Sequence, residues 1–169
     1  MLCTRSSLAC GIAVFHMKAR NIDLTVACGI DDAMRRIAIV RFAELLTLAP
    51  ALHTHRARDL HDFRIACTRL RCALERFTSK EPSLLEAASR LSQLQEALGN
   101  WHDREQLLAM VPELQLTARR IAIERDDALS RANALWRDAF AAYGPFEGLM
   151  RFTGLGYGFA DGEAPGAGT

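Results

Sequence analysis

The stretch LHDFRIACTRLRCALERF, residues 60–77, decides the fold class. At about 100° per residue, its apolar side chains fall on one arc of a helix: Phe63, Cys67, Leu70, Leu74 and Phe77. The opposite arc carries mostly polar and cationic side chains: His61, Arg64, Thr68, Arg71 and Glu75, with Arg69 on its flank. The spacing predicts one long helix that buries an apolar face and presents a cationic face.

The cationic face lacks the acidic neighbours that usually neutralise a solvated helix surface. Neither Arg64 nor Arg69 has an acidic residue three or four positions away, whereas Arg71 has Glu75 four residues on and Arg58 has Asp62. Most charged helix faces are merely solvated, but the absence of local acids favours an anionic partner here.

A later stretch serves as an internal comparison. The sequence predicts a final long helix over residues 117–143, on which Arg120 and Glu124, and Asp127 and Arg131, are spaced four apart. Such pairs are typical of an ordinary solvent-exposed surface. The contrast singles out residues 60–77 as the candidate site.

Composition points to one domain with a local basic region. The 169 residues are half hydrophobic and carry a net charge of +1, which argues against global disorder. Residues 53–76 hold six arginines against Asp59, Asp62 and Glu75, which is a net +3 and leaves about −2 for the remainder. The positive charge is therefore concentrated, as in a binding site.

The five cysteines form no CxxC pair and no metal-binding spacing, which favours reduced thiols and a cytoplasmic location. No uninterrupted apolar run approaches the roughly 18 residues of a membrane span, so no membrane association is expected. The sequence also indicates no cofactor, no metal site and no catalytic residue.

No strand pattern is present, so we expect an all-α fold, an antiparallel bundle of four to five helices with flexible termini. Residues 1–30 are expected to be poorly structured, residues 31–143 to form the bundle, and residues 144–169 to be a Gly-rich flexible tail. Within the bundle, the pair Gly99-Asn100 is expected to end the helix that begins near Ser83, and a separate helix to follow.

Two motifs resemble those of the CHAD domain, a histidine-containing α-helical domain. The first combines HDFRI at residues 61–65 with TRLR at 68–71, and the second is LQEALGNWHD at residues 94–103. The resemblance covers about residues 31–143. It implies a helical bundle that binds inorganic polyphosphate through a basic groove and is not an enzyme.

Matching the motif residue by residue implies four polyphosphate-binding side chains: His61, Arg64, Arg69 and Arg71. Three further residues are additional candidates: Arg35, Arg41 and His102. Thr68 and His102 depart from the family pattern, because relatives usually have a basic residue at the first position and often an arginine at the second.

Size is a third departure from the family. Complete CHAD domains contain two related bundles, whereas this chain carries one HxxR helix. The chain is therefore expected to be a single-bundle or half-length form, which either pairs as a homodimer to complete a two-bundle groove or is a truncated remnant.

Three alternatives remain open from the sequence. His61, with Arg64 three residues on, could belong to a histidine phosphotransfer module. The dipeptides His61-Asp62 and His102-Asp103 could belong to an HD-type metal phosphohydrolase. A nucleic-acid backbone is an alternative polyanion, although the sequence shows no aromatic platform on which bases would stack.

Overall fold

The computed structural model describes residues 18–110 and 115–155, and this part of the chain contains helices and no strand. This confirms the all-α expectation. Each long helix packs against the next in the order α1, α3, α4, α5. The helices and their bounds are α1 Ile30–Leu48, α2 Ala51–Thr54, α3 Ala57–Phe77, a 3₁₀ turn Pro82–Leu84, α4 Leu85–Met110, α5 Gln115–Ala139 and α6 Glu147–Thr153.

An aromatic cluster joins helices that are distant in sequence. Phe63 of α3 meets Trp136 of α5 edge-on with ring centroids 5.4 Å apart, and Phe42 of α1 meets Phe146 edge-on at 5.8 Å. Phe140 lies 4.9 Å from Trp136 and 5.2 Å from Phe146. Because edge-to-face pairs add to the hydrophobic gain of burial, this cluster fixes α1, α3, α5 and the chain after α5 against one another.

Helix α3 buries the face that its spacing predicts. Leu60, Phe63, Cys67, Leu70 and Leu74 are buried. Burial raises the pKa of the Cys67 thiol, so Cys67 behaves as a small apolar core residue rather than as a reactive group. The opposite face stays open for the cationic side chains.

Helix α4 differs from the expectation, because Gly99-Asn100 does not end it. The helix runs without a break from Leu85 to Met110. Leu94, Leu98 and Trp101 are buried, and their spacing of four and three residues continues the apolar stripe past the glycine. Burial of these side chains outweighs the roughly 1 kcal/mol that glycine costs within a helix.

The chain after α5 also corrects an expectation. Residues 144–155 were expected to belong to a flexible tail, yet Phe146 and Leu149 are fully buried and α6 follows. Gly154 ends α6 with φ +72°, a conformation that favours glycine. The glycine content of this stretch suggested a tail, but α6 packs on the bundle and Gly154 ends it. Residues 156–169 lie outside the described part, as do residues 1–17.

Helix α1 is apolar but carries a buried charge. Glu44 is fully buried and accepts hydrogen bonds from Arg41 Nη1, at 2.8 Å to one oxygen, and from the backbone of Arg20. These bonds compensate the carboxylate for lost hydration and hold Arg20 against α1. The stretch 30–54 is long and apolar enough to cross a membrane, and it also supplies Phe42 and Leu45 to the core.

Candidate functional site

A shallow cleft lies where the first turns of α3 meet the second half of α4. Its empty space, open solvent included, is about 180 Å³. Its walls come from seven residues: Ala57, Leu60, His61, Arg64, Leu98, Trp101 and His102. None of them is acidic. The cleft therefore combines an apolar floor with three side chains that can donate hydrogen bonds to an anion.

Two imidazoles face each other across the cleft. The rings of His61 and His102 are tilted by 47°, and their centroids are 6.3 Å apart. Gln106 Nε2 lies 2.9 Å from His102 Nε2, so the next turn of α4 helps to orient this ring. His102, an additional candidate from the sequence, therefore lies beside His61. Imidazole N–H groups can donate hydrogen bonds to an anion.

Arg64 is the fixed positive charge of the cleft. Its side chain is partly buried, and among residues 18–110 and 115–155 it forms no ion pair. The lack of an acidic neighbour in the sequence therefore extends to the packed structure. A guanidinium without a carboxylate, held beside two imidazoles, is well suited to a phosphate oxygen.

Arg71 lies further along the same face of α3. It is seven residues from Arg64, which on a helix is about 10 Å along the axis and about 20° around it. Arg71 Nη1 is 2.6 Å from Glu75 Oε1, which confirms this predicted pair. Its Nε is buried and has no hydrogen-bond partner. The predicted pair of Arg58 with Asp62 is not among the ion pairs of the described residues.

Arg69 is separated from the other predicted site residues. Five residues after Arg64, it lies about 140° around α3, and it does not line the cleft. Arg69 also has an interaction within the chain. The structure therefore groups His61, Arg64 and His102, places Arg71 on the same face, and sets Arg69 on another.

The two candidates on α1 do not reach the cleft either. The guanidinium of Arg41 is held by the buried Glu44. Arg35 lies at the end of α6, where its Nη2 would be 3.6 Å from a Cβ built on Gly154. The ion pair with Glu44 explains the position of Arg41, and neither arginine lines the cleft.

On the comparison face of α5, the predicted pair of Arg120 with Glu124 is present at 3.2 Å, whereas the predicted pair of Asp127 with Arg131 is not among the ion pairs of the described residues. The acids of α5 and α4 also pair across the helices, with Arg104 3.3 Å from Glu124 and Arg125 3.0 Å from Glu105. The arginines between α4 and α5 are thus neutralised by carboxylates, whereas the lining of the cleft contains none.

Helix α4 supplies the part of the site that sequence reasoning missed. Leu98 and Trp101 form its apolar wall, and Gln95 lies two turns before His102. The seven-residue spacing from Gln95 to His102 was visible in the sequence, but the register between α3 and α4 was not. No group of three or more His, Cys, Asp or Glu side chains that could hold a metal ion occurs within the described ranges.

Comparison with known protein families supports the resemblance of the two motifs. The family model described as the CHAD domain matches residues 25–112, just over half of the chain, from the segment before α1 to the end of α4. A comparison with curated proteins finds no match, and a comparison with solved structures finds none either. Since the match includes both helices that build the cleft, the chain belongs to the CHAD domain family.

Proposed function

We propose that this protein binds inorganic polyphosphate, or a similar polyanion, on the cationic face between α3 and α4, and that it does so without catalysing a reaction. The observation that carries the proposal is the cleft, which joins His61, Arg64 and His102 with no carboxylate in its lining. Membership of the CHAD domain family, which is associated with polyphosphate binding, supports the same ligand.

The shape of the site favours a linear ligand over an enclosed small molecule. Small-molecule pockets are usually deep and bury most of their ligand, whereas this cleft is open to solvent and lies on the groove between the packed helices α3 and α4. A flexible polyanion can lie along such a groove while its phosphate oxygens contact successive side chains. Guanidinium contacts and counterion release would then supply most of the binding free energy.

The test is a binding titration of long-chain polyphosphate, RNA and pyrophosphate at two salt concentrations. We expect polyphosphate to bind more tightly than pyrophosphate, and its affinity to fall steeply as salt increases, because each phosphate contact releases counterions. RNA binding of equal strength would identify a general backbone-binding groove. Absence of polyphosphate binding at low salt would refute the proposed function.

We further propose that two copies pair so that their cationic faces line one two-sided groove. The proposal follows from the family's two-bundle arrangement and from the single HxxR helix of this chain. Light scattering on the eluting protein, with and without polyphosphate, measures its mass in solution. A monomer under both conditions would contradict the pairing but not the binding.

The proposed location is the cytoplasm. Three of the five cysteines lie in the described ranges, and all three, Cys28, Cys67 and Cys72, are free thiols. Free thiols are usual in a reducing compartment. Fractionation of cells that express the protein would test this.

A further inference from the structure

Helices α3 and α4 are antiparallel and packed against each other, so the surface between them, on which the cleft lies, extends toward the end of α3. The chain leaves α3 at Phe77 and enters α4 at Leu85 after a short turn, while the first turns of α3 meet residues 98–102 of α4. Residues later in α3 therefore lie beside residues earlier in α4.

Arg71 and Gln95 are each seven residues away from a residue that lines the cleft. Arg71 is seven residues after Arg64 on α3, and Gln95 is seven residues before His102 on α4. Each step is about 10 Å along its helix and about 20° around it. Arg71 and Gln95 therefore face the same groove, two turns away from the first pair.

Both side chains carry a buried donor that lacks an acceptor. Arg71 Nε and Gln95 Nε2 are buried and have no hydrogen-bond partner. Folded proteins satisfy most buried donors, so two orphaned donors in one groove call for an explanation. An anion bound beside them would supply the missing acceptors, provided that the two side chains rotate to expose these atoms.

The groove between the two pairs is open at Gly99. This glycine is four residues after Gln95 and three before His102, on the same side of α4, and a Cβ built on it would meet nothing within 4 Å. A linear ligand can therefore pass from the cleft to the second pair without displacing a side chain at this position.

Other orphaned donors on α4 lie outside the groove or have a charged neighbour. Arg90 Nε is orphaned, but Arg90 is about 120° around α4 from His102. Arg104 Nε makes no hydrogen bond but lies 3.3 Å from a Glu124 oxygen. Only the Arg71 and Gln95 donors, among the residues described, combine an orphaned atom with a place in the groove.

We infer that Arg71 and Gln95 form a second anion subsite, so that the groove selects a polyanion long enough to reach from the cleft across about 10 Å. This inference rests on the proposed function and adds a ligand requirement to it. A two-phosphate ligand occupies the cleft alone, whereas a longer chain occupies both subsites.

The test replaces Gln95 by methionine, which keeps the length of the side chain and removes the orphaned amide. Gln93→Met is the matched control, because Gln93 is exposed on the same helix and points about 180° from His102. Long-chain polyphosphate and pyrophosphate are the probes, and thermal unfolding is measured for both variants. Neither substitution changes the net charge, so long-range electrostatics stay constant.

Gln95→Met is expected to weaken the binding of long-chain polyphosphate by about tenfold, because a hydrogen bond to a charged group is lost. Its pyrophosphate affinity should match that of the control. Its Tm should stay the same or rise, since an unsatisfied buried donor has been removed.

Three results would overturn the subsite. Equal long-chain affinities of the Gln95→Met and Gln93→Met variants would show that Gln95 takes no part in binding. An equal loss with pyrophosphate would show that Gln95 acts on the cleft itself. A marked fall in Tm would show that the amide is needed within the protein. If the unmodified protein binds neither probe, the proposed function fails and the subsite with it.

Discussion

At the scale of single residues, the pair His61 and His102 leads us to expect that the proposed binding depends on pH. Imidazole is the side chain whose charge changes between about pH 5 and 8, and the ring centroids are 6.3 Å apart. The groups that face the pair are Arg64 from α3 and Gln106 from α4. With no carboxylate lining the cleft, a bound anion is the group that would favour imidazolium.

We therefore expect polyphosphate affinity to rise as pH falls from 8 to 6. An anion bound beside an imidazole favours the protonated form of the ring, so binding that is accompanied by proton uptake becomes stronger at lower pH. Titrations at both pH values compare the unmodified protein with His102→Gln, and His53→Gln is the control because His53 is exposed and lies outside the cleft. A pH effect of equal size in all three proteins would contradict the role of the pair.

Glu75 is expected to oppose binding, because it holds the Arg71 guanidinium at 2.6 Å. Replacing it by glutamine frees the guanidinium for a phosphate and removes a negative charge from the end of the groove. Polyphosphate affinity should rise about two- to fivefold, in line with the modest strength of an exposed ion pair. The control is Glu86→Gln, an equal change of charge at an exposed position of α4. Equal effects of the two variants would show that only net charge matters.

At the scale of the helix, both the buried face and the exposed face of α3 could be predicted from the sequence. The apolar arc of residues 60–77 is the buried face, because helical periodicity alone decides which side chains share a side. The same periodicity placed Arg69 on a flank, and the structure separates it from the cleft. Helical spacing does not predict how α3 aligns with a neighbouring helix. The contribution of α4 to the groove, including Gln95, therefore became visible only in the structure.

Helix α4 shows why a local stop signal failed. Gly99 is within a helix whose buried stripe continues to Trp101, and tertiary packing there outweighs local preference. We predict that Gly99→Ala raises the free energy of unfolding by about 0.5–1 kcal/mol, because alanine favours the helix and its Cβ meets nothing within 4 Å. Denaturant unfolding measures this, and a loss of stability would show that the position does not tolerate a side chain.

At the scale of the whole molecule, the segment after α5 completes the bundle. Its sequence contains enough glycine to suggest a tail, and only the packing reveals that Phe146 contacts Phe42, Trp136 and Phe140. The side chain of Phe146 thus joins α1, α5 and the start of α6. Such contacts depend on how the helices are arranged in space, which no single stretch of sequence specifies.

Phe146→Ala is therefore expected to lower the free energy of unfolding by about 3–5 kcal/mol, the usual cost of removing a buried aromatic ring. Tyr143→Ala is the control, because Tyr143 lies three residues earlier and is 90% exposed. Chemical denaturation compares the two variants. If both lose the same small amount of stability, the segment does not belong to the core.

The central claim is that the cleft between α3 and α4 binds the polyanion, and Arg64 tests it most directly. The measurement is the affinity for long-chain polyphosphate of Arg64→Ala and of Arg58→Ala, an exposed arginine of α3 outside the cleft, with helicity checked for both. We predict that Arg64→Ala weakens binding by about tenfold or more, since a guanidinium–phosphate contact is lost, and that Arg58→Ala changes it far less. Equal affinities of the two variants would contradict the claim.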